Sequence, residues 1–437
     1  MRGAENTLSF SSRQRSSLEP YFERKRGDIK PGAHRMQILL DALGATACLD
    51  IPSVLVAGTN GKGTVCAYLE SMLRHHAFKT GLYTSPHLVD PTERMRIAGV
   101  PVSEAELRAA LGEVEKIFPH CLPDATFFEI TTAAAFLLFL KNEIEVLICE
   151  VGLGGRYDST NVLSPLVSVL TSVGLDHTDL LGKTEQKIAF DKAFVSRRNR
   201  LFVVGKLSAD AHEGVLSTVQ RTGAHLIEAQ NEVCKNSSPF GKEFLEQFSG
   251  RVQLNHLNLQ TALVAFQAFS EQKKFAIKND VLVQSIEAMR WPGRFDVRVF
   301  EGRTVVFEAS HNSAGLTYFL QQWQQSAFAN KECNILFASL GDKDWEKMIP
   351  LLSALGKKMI LTTFSSQRAL SAADLNAAAR FSSNIHVEEN LEQALALALN
   401  LDKAMPLIIT GSIAFLGETM LRLQICPYAH VEKRVLP

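Results

Sequence analysis

Short apolar runs alternate with amphipathic helical patterns along nearly the whole chain, and no other feature limits its fold as strongly. Val54–Ala57, Val146–Cys149, Leu166–Leu170 and Leu201–Val204 read as buried strands, with helical patterns around 65–77, 103–117, 128–141 and 184–195. A second series follows Trp291-Pro292-Gly293: Thr304–Phe307, Ile335–Ala338, Met359–Thr362, Ile385–Val387 and Leu407–Thr410. Continuous apolar strands separated by helices belong to parallel sheets covered on both faces. Pro292-Gly293 suits no element interior and reads as a linker. The expectation is two α/β units, 25–292 and 293–437, preceded by a flexible extension over 1–24.

Within the first unit, residues 53–64 read SVLVAGTNGKGT. Four apolar residues run into a glycine-rich turn that opens directly into a helix, where Val65, Leu69, Met72 and Leu73 share one face. Unpaired N–H groups and the positive dipole end of a helix then face one spot, which attracts phosphate. Thr59, Asn60, Gly61, Lys62, Gly63 and Thr64 form the cradle, with Lys62 adding a full charge and Thr64 a hydroxyl for a phosphate-borne metal ion. The pattern departs from G-x-x-x-x-G-K-[ST], because Val56 takes its first position and Gly63 separates Lys62 from Thr64. A glycine-rich surface turn is the ordinary alternative; the strand before and the helix after favour ATP.

Polar residues follow the other strands in a consistent way. Glu150 ends the run Val146–Cys149, Ser85 follows Gly81–Tyr83, and Asp176-His177 follows Leu166–Leu170. Ligands of open parallel sheets bind beyond the carboxyl ends of the strands. Thr64, Ser85, Glu150 and His177 are therefore expected on one rim, where they suit one or two magnesium ions among triphosphate oxygens. Taken singly, a glutamate at a strand end caps the next helix and an Asp-His pair is turn chemistry.

Composition narrows the class by exclusion. Lys+Arg and Asp+Glu are equal at 46 each, so no charge excess points to nucleic acid or a membrane surface. The seven cysteines are scattered without a C-x-x-C pair, which implies reduced thiols and a cytoplasmic protein. The N-terminal MRGAENTLSFSSRQRSS lacks the apolar core of a secretion signal, and Ala133–Leu140 is too short to span a bilayer.

GTNGKGT (58–64), TSPHL…ERMRI (84–97), TFFEITTAAAF (126–136), EVGLGGRYDSTN (150–161), TSVGLDHTDLLGKTEQKIAFDKA (171–193), WPGRFD (291–296), GDKD (341–344) and TGS (410–412) occur in that order. Together they resemble the folylpolyglutamate synthase and dihydrofolate synthase family of the Mur ligase superfamily, over roughly residues 25–425. The resemblance implies a parallel-sheet P-loop ATP-binding domain, a smaller Rossmann-like α/β domain and an active site between them. It implies an ATP-dependent ligase that phosphorylates a carboxylate of dihydropteroate or of a reduced folate's glutamyl tail and joins L-glutamate to it. It is expected to act as a monomer on small molecules.

By the same resemblance, Lys62, His177 and Lys192 are catalytic. Thr59 to Thr64, Gln260, Arg294, Glu308 and His311 bind ATP. Thr126, Phe127, Phe128, Glu129, Tyr157, Asp158 and Ser159 bind the pterin-bearing substrate, although Phe127 and Phe128 equally suit the core at a helix start. Thr64, Ser85 and Glu150 hold one magnesium, and Glu150 and His177 approach a second. Lys192 stands where relatives carry a carbamylated lysine, an anion able to bind a cation; a solvated helix lysine is the plain alternative.

Some positions depart from the family pattern. Relatives usually read D-G-A-H-N-P where this chain has Glu308-Ala309-Ser310-His311-Asn312-Ser313. Gln260 replaces an asparagine in H-x-x-x-N, Ala414 replaces a tyrosine after T-G-S, and Ser159 replaces the alanine of bifunctional bacterial relatives, as in polyglutamate-only members. Two other readings remain at this point. A peptidoglycan Mur ligase needs a UDP-sugar domain of ~100 residues before the loop, whereas 57 residues precede Gly58. A nucleotide-binding paralogue without ligase activity is opposed by Lys62, Glu150, His177 and Lys192.

Overall fold

The computed structural model describes residues 32–233, 240–248 and 256–428. The expected extension over 1–24 lies outside them. Eight strands form the first sheet: β1 (Ser53–Ala57), β2 (Thr80–Tyr83), β3 (Met95–Ile97), β4 (Val100–Pro101), β5 (Val146–Glu150), β6 (Val167–Leu170), β7 (Leu201–Val204) and β8 (His225–Glu228). Their spatial order is β4-β3-β2-β5-β1-β6-β7-β8. Across the order from β2 to β8 every pairing is parallel, and only β3 is reversed, pairing antiparallel with both β2 and β4.

The central strands are buried along their whole length because both faces are covered. Leu55 and Ala57 point into one core with the helix Phe127–Lys141, while Val54 and Val56 point into another with the helices Lys62–His75 and His256–Lys273. Each such Val or Leu contributes roughly 1.5–3 kcal/mol of burial. The helix Lys62–His75 carries more than one apolar stripe, since Thr64 to Leu73 are all buried between β1 and the neighbouring helices.

The second sheet holds β9 (Asp296–Phe300), β10 (Arg303–Glu308), β11 (Cys333–Phe337), β12 (Gly356–Leu361), β13 (Ile385–Val387) and β14 (Leu407–Thr410), ordered β13-β12-β11-β14-β10-β9. All pairings are parallel except the edge pair β9–β10. Its two faces carry their own cores, one around Trp323 and Phe295, the other around Phe307 and Phe415. Gly293 sits before β9 with φ 74°, in the left-handed region that favours glycine.

Because β2, β5, β1 and β6 are adjacent and parallel, their carboxyl ends lie along one edge. The segments leading to Ser85, Glu150, Lys62 and His177 leave from that edge, as the sequence predicts.

Candidate active site

The turn between β1 and the helix Lys62–His75 is shaped by two glycines. Gly58 has φ 152°, and a side chain there would meet Thr171 Oγ1 at 2.0 Å. Gly61 caps the helix with φ 85°, and a Cβ would lie 2.4 Å from Asn258 Oδ1. The turn is pinned to the segment after β6: Thr59 N–H donates to Ser172 O at 2.8 Å, and Thr171 Oγ1 donates to Asn60 O at 2.6 Å. Loop and helix N-terminus are thus held by backbone and hydroxyl contacts that do not involve the lysine.

Lys62 Nζ donates to Thr59 O at 3.3 Å and lies 3.9 Å from Glu150 Oε1. Glu150 is buried at the end of β5, and its Oε2 accepts the Ser85 N–H at 3.2 Å. Burial raises the Glu150 carboxyl above its ordinary range, and the nearby Lys62 charge opposes this. Lys192, at the end of the helix Glu185–Lys192, is buried too, and its Nζ donates to Gly58 O at 3.1 Å. Desolvation, aided by the Lys62 charge, lowers its amine to about 7. A solvated helix lysine is therefore not what the fold builds.

His177 has φ 50° and a half-exposed side chain, with Nε2 3.8 Å from Asp176 Oδ2. Burial, together with Lys343, Lys192 and Lys62, lowers its pKa against the pull of Asp176. Asp176 accepts from Lys343 Nζ at 3.0 Å, which ties this loop to the second unit. Burial would raise the Asp176 carboxyl, but His177 and Lys343 bring it below its ordinary range. Among the described residues, no group of three or more His, Cys, Asp or Glu side chains is arranged to hold a metal ion.

A cleft of about 980 Å³, open mouth included, lies where the units meet. Asn60, Gly61, Thr64, Arg294 and Glu308 line it, as expected, but from the helix His256–Lys273 it is Leu257 and Asn258 that do so rather than Gln260. Lys206, Tyr318 and Gln322 also line it, and none of these was marked by a motif. Asn258 stands inside the H-x-x-x-Q frame and was within reach of that pattern. Glu308 is held by Ser310 Oγ at 2.8 Å, Phe295 N–H at 2.8 Å and Arg294 Nη1 at 3.4 Å. Asn312 meets Asn60 across the cleft in a reciprocal amide pair at 3.3 Å. His311 Nδ1 lies 3.2 Å from Ala309 O, and desolvation with the charges of Arg294 and Lys343 lowers it to about 4.

The expected pterin residues fall in two groups, and none of them lines this cleft. Thr126 caps the helix Phe127–Lys141 in a reciprocal box with Glu129, whose carboxylate also takes Arg35 Nε at 2.6 Å. Phe127 and Phe128 are half-buried, Phe127 under the Arg94 guanidinium at 5.7 Å and Phe128 with its ring centroid 6.1 Å from that of Tyr83. Asp158 is buried and organises the glycine-rich loop, accepting from Leu153 N–H and Thr160 N–H at 2.9 Å each. Ser159 is buried beside it, while Tyr157 is exposed with Arg156 over its ring at 5.0 Å.

The Mur ligase middle domain matches residues 56–206, and the Mur ligase, glutamate ligase domain matches residues 293–413. Fold and site thus define an ATP-dependent carbon–nitrogen ligase of the Mur type. The dihydrofolate synthase/folylpolyglutamate synthase of Bacillus subtilis is 30% identical over 415 residues, covering 91% of this chain and 96% of that one. E. coli FolC in complex with DHPP and ADP superposes with a TM-score of 0.80 at 27% identity, covering 93% and 96% of the two chains. A bifunctional folylpolyglutamate synthase/dihydrofolate synthase with Mn, AMPPNP and L-glutamate bound gives 0.78 at 25% identity, covering 91% and 95%. The chain belongs to the folylpolyglutamate synthase/dihydrofolate synthase family.

Proposed function

We propose that this ligase joins L-glutamate to dihydropteroate, to the glutamyl tail of a reduced folate, or to both, in the cleft between units 25–292 and 293–437. The observation that carries this reading is the pairing of Lys62 with the buried Glu150, 3.9 Å apart at the mouth of a phosphate-shaped turn. One cation and one anion at a helix N-terminus suit a triphosphate and its metal, and little else.

In this reading the γ-phosphoryl of ATP passes to the acceptor carboxylate, giving an acyl phosphate and ADP. The glutamate amine attacks the carbonyl carbon and loses a proton, the C–N bond forms, and the C–O bond to phosphate breaks. Lys62 and the N–H groups of the turn hold the transferring charge, so positioning and neutralisation supply most of the rate. Arg294 and Glu308 complete the nucleotide site from the second unit, with His311 beside them. Thr59, Asn60, Gly61 and Gly63 keep their assignment to the nucleotide side, and Asn258 takes the place in the cleft wall that was expected of Gln260.

Glu150, Thr64 and Ser85 form a one-carboxylate donor set. That fits magnesium, which keeps several waters and binds largely through nucleotide phosphates, and it agrees with the lack of an all-protein cluster among the described residues. When bound, the ion neutralises triphosphate charge. His177 and a carbamate on Lys192 extend the set toward a second ion. Burial of Lys192 supports the carbamate, since a desolvated amine loses its proton and attacks carbon dioxide more readily. Phe127, Phe128 and Tyr157 offer faces for a flat ring, while Thr126, Glu129, Asp158 and Ser159 shape the pocket wall. We place the enzyme in the cytoplasm as a monomer; the described cysteines are free thiols, and no helix among the described residues is long and apolar enough to cross a membrane.

ATP-dependent glutamate incorporation, compared between dihydropteroate and a reduced folate, tests the reading; incorporation into neither acceptor would remove it. Glu150→Gln keeps the side-chain shape and removes the anion. Its kcat should fall about 10²-fold or more, with part of the loss recovered at high magnesium. An unchanged magnesium requirement would exclude Glu150 as a ligand.

A further inference from the structure

Arg96 lies on β3 and is buried. Its guanidinium carbon sits 4.7 Å from the centre of the Trp291 ring and 4.0 Å from that of Tyr428. It also donates to the Tyr428 hydroxyl and to Glu93 O. Two aromatic faces around one desolvated cation make a strong clamp, because each ring presents its negative face.

The clamp joins three separate parts of the chain. Tyr428 ends the described C-terminal segment, and Arg298 on β9 fixes that segment by donating to Cys426 O at 3.0 Å and Pro427 O at 2.9 Å. Asp296 holds Arg298 at 3.0 Å and accepts the Gly293 N–H at 3.2 Å, so the tail is registered against the linker. Trp291 belongs to that linker. Its ring lies against Gly63, where a Cβ would come within 2.8 Å of Cζ2. Gly63 is the residue between Lys62 and Thr64, in the first turn of the phosphate-loop helix.

We propose that Tyr428 and Arg96 are positioning residues for the nucleotide: the C-terminal segment holds Arg96 on the Trp291 ring, and Trp291 against Gly63, and so fixes the first turn that carries Lys62 and Thr64. The inference rests on the phosphate-loop reading given above. It explains why an arginine on the short strand β3 is buried against two rings, and why the chain crosses back to the first unit after its last described helix.

The test uses the full-length chain and two readouts, ADP affinity by calorimetry and steady-state kinetics. Tyr428→Ala should weaken ADP binding and raise the KM for ATP about tenfold, the scale of a desolvated cation–π contact. The KM values for glutamate and acceptor should change less than twofold. Tyr428→Phe keeps the ring and should stay within about threefold of the parent for ADP. Arg96→Met, alone and combined with Tyr428→Ala, should give effects that do not add, since both remove one clamp. Lys62→Ala serves as the reference for the loop itself. If Lys62→Ala weakens ADP binding and Tyr428→Ala does not, the clamp proposal falls and the loop reading stands. If neither weakens it, both fall. A Tyr428→Ala protein that loses affinity for all three substrates equally would show a fold defect and also overturn the proposal.

Discussion

Lys62→Ala is expected to fold normally and to lower kcat for ligation by about 10²–10³-fold at saturating ATP. The size follows from what the side chain does and what it does not. It makes one hydrogen bond, to Thr59 O, and stands beside a buried carboxylate, so it supplies charge rather than packing. The turn itself is held by Thr171, Ser172 and the left-handed Gly61, none of which needs the lysine. Removing it also takes from Glu150 its main neighbouring cation, and burial then raises that carboxyl further. Thermal melting within a few degrees of the parent, with collapsed turnover, is the expected pair of results. Near-normal turnover at saturating ATP would show that the transferring phosphoryl group is neutralised elsewhere.

Lys192→Ala should be nearly inactive, by a factor of about 10² or more. The buried amine stands 3.1 Å from Gly58 O, directly behind the phosphate turn, and no carboxylate among the described residues bonds to it there. A carbamate at its tip would put an anion near Lys62, whose charge acts on Lys192, and near His177, on which both lysines act. Truncation removes that anion and leaves room for another. High concentrations of acetate should therefore restore part of the activity to the alanine variant. Lys192→Arg should stay inactive with or without acetate, because a fixed positive charge repels a cation and fills the space. Density for three extra atoms at the lysine tip in a nucleotide-bound crystal is the structural counterpart. Full activity of the alanine variant, with a bare lysine in that crystal, would defeat the carbamate and leave the ligase standing.

The elements that the sequence shows best are those buried on both faces. β1, β5, β6 and β7 are continuous apolar runs because each has helices above and below, and their expected ends lie within a residue or so of the observed ones. Four outer strands, β3, β4, β8 and β9, are not legible for the converse reason, whereas the edge strand β13 is read at Ile385–Val387. β3 and β4 are a few residues long and include Arg96 and Pro101, β8 begins with an exposed histidine, and β9 alternates charge with apolar residues. Such segments become strands only because a neighbour pairs with them.

The site shows the same division. Residues that follow strands in local motifs, such as Lys62, Glu150 and His177, were legible because parallel topology sends all strand ends to one edge. Contacts between distant segments were not. Lys343 reaches Asp176, Asn312 reaches Asn60, and Arg35 takes up the Glu129 carboxylate, which the capping pattern alone leaves looking available for substrate. Lys206, Tyr318 and Gln322 enter the cleft from helices and loops whose local sequence has no nucleotide signature. Their position is a product of how the two units pack.

Ligation through an acyl phosphate is tested most directly with an acceptor whose reacting carboxylate carries ¹⁸O. The enzyme, ATP, magnesium and L-glutamate should convert dihydropteroate or a reduced folate to the glutamylated product, with one ADP and one phosphate per glutamate. One labelled oxygen should appear in that phosphate, because the bridging oxygen of the acyl phosphate leaves with it. Label recovered in AMP, unlabelled phosphate alongside product, or ATP hydrolysis without glutamate incorporation into either acceptor would contradict this mechanism.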